Sequence, residues 1–114
     1  MTTRIPALAL LASAALLFAA VAPAHAALDD AGGQALLKKS GCATCHKLDK
    51  KGVGPSIKDI AKKHKGSASA AADLKKSIRN GSTGVYGSDA MPAIPAKKLS
   101  DDKMNELVQW MLSK

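Results

Sequence analysis

The chain changes character after its first quarter. Ala7 to Ala22 is an apolar run rich in Ala and Leu and interrupted only by Ser13. Arg4 precedes it, Pro23 closes it, and Ala24-His25-Ala26 follows as a small-x-small triplet. A positive start, a short apolar core and small residues at the end predict a secretory signal peptide over residues 1–26, with cleavage after Ala26. The run falls short of the ~20 residues that a membrane-spanning helix needs, which argues against a retained anchor.

From residue 27 onward the apolar positions recur at helical spacing. Asp29 and Asp30 can cap a first helix that carries Leu36 and Leu37 and stops at Gly41. A second begins at Ser56, places Ile57, Ile60, Ala61 and His64 along one side, and ends at Gly66. A third runs from about Ser69, with Ala71, Leu74 and Ile78 on a stripe, to Asn80-Gly81. The last has Ser100 as N-cap and Asp101 and Asp102 in its first turn, where negative charge opposes the helix dipole favourably. Met104, Leu107, Val108, Met111 and Leu112 then form its apolar face. Residues 41–56 and 81–99 carry the Gly and Pro punctuation of loops. No convincing strand alternation appears. The prediction is one all-α domain over residues 27–114, built of about four helices.

Composition exposes a deficit in this domain. Only twenty large apolar side chains follow position 26, and two of them, Tyr86 and Trp110, are aromatic. A domain so small is marginal unless something besides its core stabilises it. Two cysteines make no disulfide framework. The chain therefore calls for a cofactor. The net charge of +8 excludes an acidic disordered tail, and the length excludes a multidomain enzyme.

Cys42-Ala43-Thr44-Cys45-His46 answers the deficit. C-x-x-C-H is the attachment pattern of a c-type haem. Each thiol adds to one porphyrin vinyl group, and three-residue spacing on a helical turn matches the separation of the two vinyls. The adjacent His46 then stands under the iron as proximal ligand. Three other uses of the residues compete. A thioredoxin-like redox pair wants a βαβ setting, a zinc site wants a fourth ligand with only His64 to spare, and a disulfide three residues apart stabilises little.

With GCATCH, GVGPS, IRNGSTGVYG, MPAIP and the closing SDDKMNELVQWML helix in this order, the chain resembles the small bacterial monohaem class I cytochromes c of the five-fifty-one type. The resemblance covers residues 36 to 112. It implies a class I cytochrome c fold, with the helices wrapped around one covalently bound haem c. It also implies a sixth iron ligand opposite His46. Met91 is the expected one: it lies in a Gly/Pro-rich loop, and Pro92 stiffens the approach. Met104 and Met111 lie on a helix stripe and are expected in the core, and His64 is the rival ligand. By the same resemblance the Pro55 carbonyl accepts from the proximal imidazole. Tyr86 stands where the family often has Trp, and its phenol is expected to reach a haem propionate. Trp110 is expected against the first helix, near Leu37. The segment between Met91 and Ser100 is longer than the family pattern.

A haem with both axial positions filled suits one-electron transfer. The expected function is a periplasmic electron carrier of the respiratory chain, not an enzyme. The resemblance suggests quinol-cytochrome c oxidoreductase or another cytochrome as donor, and a terminal oxidase or nitrite reductase as acceptor. The alternative is a haem-based small-ligand binder or sensor with a labile sixth ligand. Lysines flanking the haem motif and the methionine loop, such as Lys38, Lys39, Lys47, Lys50, Lys51, Lys97 and Lys98, suit an acidic partner. Nucleic-acid binding and stable membrane insertion are not expected, and the protein is expected to be a monomer.

Overall fold

The computed structural model describes residues 27–114, so the segment read as a signal peptide lies outside the described residues. Four helices follow in order: α1 (Asp30–Lys39), α2 (Ile57–His64), α3 (Ala70–Asn80) and α4 (Asp101–Leu112). A single 3₁₀ turn, Cys42–Thr44, lies between α1 and α2. Among the described residues there is no strand, only two isolated antiparallel bridges. The all-α expectation holds.

The caps explain the boundaries. The Asp29 carboxylate accepts from the Gly32 amide at 2.7 Å, Ser56 Oγ from Asp59 at 3.0 Å and Ser100 Oγ from Lys103 at 3.3 Å. Each satisfies an amide that the first helical turn leaves without a partner. α1 ends at Lys39, two residues before Gly41, and is capped by Ser40, whose hydroxyl turns back to the Leu36 carbonyl at 2.7 Å. Gly41, at φ +82°, then supplies the left-handed step that starts the 3₁₀ turn.

α4 is the centre of the assembly and touches each of the other three helices. Met104, Leu107, Val108, Trp110 and Met111 are buried along it. They meet Leu37 from α1, Ile57 and Ile60 from α2, and Leu74 and Ile78 from α3 in one cluster. Burying each such side chain stabilises by roughly 1.5–3 kcal/mol.

Trp110 packs on α1 as expected, but its close contact is one turn earlier than Leu37. A methyl placed on Gly33 would lie 2.1 Å from the Trp110 ring. Gly33 thus opens the seat, and the indole N–H donates to the Asp30 carboxylate at 3.0 Å. The indole needs a partner for its N–H, and Asp30 is the α1 residue that offers one.

The long segment before α4 also has an order of its own. Backbone amides of Lys98 and Leu99 return to the Pro95 carbonyl at 2.9 and 3.2 Å. This turn carries Leu99 into the core at 2% exposure.

Candidate haem site

The 3₁₀ turn gathers the attachment motif. Amides of Cys45 and His46 both point to the Cys42 carbonyl, at 3.2 and 2.9 Å. The turn brings Cys42, Cys45 and His46 onto one apolar cleft with an interior volume of about 290 Å³. Both cysteines are free thiols, so neither is committed to a disulfide. Cys42 is buried and its sulfur lies 3.1 Å from Ser40 Oγ.

The loop after the motif folds back under His46. Gly54 donates to the Cys45 carbonyl at 3.0 Å, and His46 and Lys51 form an antiparallel bridge. Amides of Ile57 and Lys58 reach the carbonyls of Lys47 and Leu48 at 2.9 and 3.2 Å, which joins the start of α2 to the motif. The fold-back leaves His46 Nδ1 2.8 Å from the Pro55 carbonyl oxygen. A carbonyl only accepts, so Nδ1 carries the proton and Nε2 keeps its lone pair for a metal. Gly54 lies flat against the ring: a methyl on it would sit 2.7 Å from Cε1.

Met91 lines the same cleft. Sequence spacing predicts irregular loop over residues 81–99, yet Met91 is held by a paired bridge. Ser82 N–H donates to the Met91 carbonyl at 3.0 Å, and Met91 N–H to the Ser82 carbonyl at 2.8 Å. Gly81, at φ +74°, permits the close approach, since a methyl on it would be 2.5 Å from the Met91 oxygen. Ser82 and Gly81 are positioning residues that periodicity cannot find, because the pairing is between backbones.

The cleft therefore brings together Cys42, Cys45, His46, Pro55, Met91 and Tyr86, and also His64 from the last turn of α2. Tyr86 stands at its mouth, 39% exposed, with the Lys63 ammonium 5.1 Å from the ring centroid. Burial pushes the Tyr86 phenol above its ordinary value, and the Asp59 carboxylate adds to the shift. The phenol thus stays protonated and able to donate.

The donor set fits a covalently held haem. Two uncommitted thiols three residues apart, an imidazole presenting Nε2 and a thioether share one cleft walled by Ile57, Ile60, Leu74, Ile78, Leu107 and Met111. One nitrogen and one thioether sulfur are low-spin haem donors, and the apolar wall suits a porphyrin face.

Comparison with known proteins supports this assignment. Residues 28–111 match the family model described as "Cytochrome C oxidase, cbb3-type, subunit III". The chain is 45% identical over 80 residues to a cytochrome c-551 of Pseudomonas aeruginosa, covering 70% of this chain and 74% of that protein. It is 42% identical over 77 residues to a cytochrome c2 of Rubrivivax gelatinosus, 68% of this chain and 91% of that protein. The crystal structure of wild-type Nitrosomonas europaea cytochrome c552 superposes with a TM-score of 0.64 at 40% identity, over 70% of this chain and 96% of the other.

Proposed function

This chain belongs to the small monohaem class I cytochromes c, whose haem c is attached through the two cysteines, and on that premise we propose that it is a periplasmic one-electron carrier. When bound, haem c supplies a ferric/ferrous couple. His46 Nε2 and the Met91 thioether would hold its iron, and Cys42 and Cys45 would anchor the porphyrin covalently. The chain's remaining work is to hold these groups still. Pro55 fixes the tautomer and plane of His46. The Ser82 pairing fixes the backbone that presents Met91. Apolar side chains wall the cleft that both face. With His46 and Met91 both held ready for the iron, the protein would leave no open position for a substrate, which favours electron transfer over catalysis.

The observation that carries this reading is that His46, with its Nδ1 proton pinned by Pro55, shares one cleft with Met91 and both thiols. Export is supported by the apolar run and small-residue triplet before Ala27. Among the described residues no helix is long and apolar enough to cross a membrane. An acidic redox partner is supported by the net charge of +8 and by an apolar rim of Val53, Val85 and Tyr86 that stands exposed at the cleft mouth.

The test is optical. The ferric protein is expected to show the weak near-infrared sulfur-to-iron band. Met91→Ala abolishes it with the haem still covalently attached, and His64→Ala leaves it. Carbon monoxide added to the reduced wild-type protein changes its spectrum little. A prompt change would instead assign a ligand-binding haem with a labile sixth position.

A further inference from the structure

After residue 26 the chain holds fifteen lysines and a single arginine, Arg79. Its guanidinium is tied on two sides. Nη1 donates to the Ile94 carbonyl at 3.0 Å, and Nη2 to Asp101 Oδ1 at 2.6 Å. Ile94 lies three residues after Met91, and its amide donates to the Ile78 carbonyl at 2.8 Å. Both backbone groups of Ile94 are therefore held by consecutive residues of α3, one through the main chain and one through Arg79. Asp101 is the first residue of α4. One side chain thus joins α3, the segment leaving Met91, and the start of α4.

The placement matters for Met91. Its own N–H and carbonyl are both held by the Ser82 pairing. On its C-terminal side, residues 92 and 93 are exposed, and the first anchor is Ile94. The planar fork of arginine can serve a carbonyl and a carboxylate together, whereas a lysine ammonium is a point donor on a flexible stem. The side chain is 22% exposed and Asp101 79%, so the ion pair alone contributes little. The bond to Ile94 is the half-buried one and carries the positional effect.

We propose that Arg79 is a positioning residue for the Met91 ligand: by clamping Ile94 to α3 it closes the far side of the methionine loop and keeps the thioether directed into the cleft. The inference rests on the reading of Met91 as axial ligand. In Arg79→Ala the loop swings more freely, and Met91 leaves its position more often.

The experiment uses the holoprotein under conditions far from unfolding. Carbon monoxide is mixed with the ferrous protein, and combination is timed in wild type, Arg79→Ala and Arg79→Lys. Loss of one charge-assisted hydrogen bond raises the open population about tenfold, so Arg79→Ala is expected to combine about tenfold faster. Its near-infrared band is also expected to fade at a lower temperature than the global unfolding transition. Arg79→Lys keeps the charge but not the fork, and lies between the two; it carries the test alone should Arg79→Ala not accumulate. A lower unfolding midpoint with wild-type combination rate and band overturns the proposal and leaves Arg79 a structural residue. If wild-type protein lacks the sulfur-to-iron band, the assignment of Met91 fails first and this inference falls with it.

Discussion

The imidazole of His46 donates from Nδ1 to the Pro55 carbonyl across 2.8 Å, and Gly54 is pressed against the same ring. The acceptor belongs to the backbone, so the side chain of Pro55 is not what the hydrogen bond needs. What it needs is the flat approach that Gly54 allows.

Two substitutions separate these roles. Gly54→Ala sets a methyl 2.7 Å from Cε1 and forces the ring to tilt, which weakens the bond to Pro55. With His46 as the proposed iron ligand, that bond would make the imidazole a stronger donor and favour ferric iron, so weakening it is expected to raise the reduction potential. A tenfold change in a one-electron equilibrium is about 59 mV, and part of one hydrogen bond gives an upward shift of roughly 20–60 mV. Pro55→Ala keeps the carbonyl and is expected to shift the potential by less. Redox titration of the three holoproteins checks the order; equal potentials in wild type and Gly54→Ala would sink it.

The seat of Trp110 gives the second prediction. Gly33→Ala drives a methyl into the centre of the indole, with three ring atoms within 2.6 Å of it. Neither a backbone nor a buried ring yields cheaply, so the cost is about 1–3 kcal/mol, at the upper end of overpacking. Guanidinium unfolding of the holoprotein should show a lower midpoint with an unchanged slope, and the near-infrared band should persist below the transition. A midpoint equal to that of wild type would mean that the two helices part freely.

Acid sensitivity follows from the same corner. Lys114 and the Trp110 N–H, both bonded to the Asp30 carboxylate, hold its carboxyl below the ordinary value of 3.8. A group lowered in the folded state stabilises fully above its unfolded value, and that contribution fades as pH falls through the folded value. Asp30→Asn is therefore expected to be less stable than wild type near neutral pH. The gap should close as pH drops below 3.8. Unfolding midpoints measured from pH 7 down to 3 check it, and a gap independent of pH contradicts it.

Side-chain chemistry was legible in the sequence where one stretch of chain carries the whole signal. The haem motif is five consecutive residues, and α4 announces itself by its cap, its acidic first turn and its apolar stripe. What stayed hidden depends on residues far apart. The Ser82–Met91 pairing is made by backbone groups and leaves no side-chain pattern. Gly33 reads as a poor helix residue until Trp110 is seen resting on it. Arg79 had one signal, its solitude among lysines, but its targets Ile94 and Asp101 are 15 and 22 residues away. Leu99 reads as the end of a loop because the turn that buries it is made by backbone bonds to the Pro95 carbonyl, which leave no side-chain pattern.

The contact between Trp110 and Asp30 spans 80 positions, so the first and last helices secure one another. Closure of so long an interval is a late and slow event in any folding chain. α1 finds the seat for its Gly33 face only once α4 is present. The bond that joins α1 to α4 is therefore among the last that these helices can make.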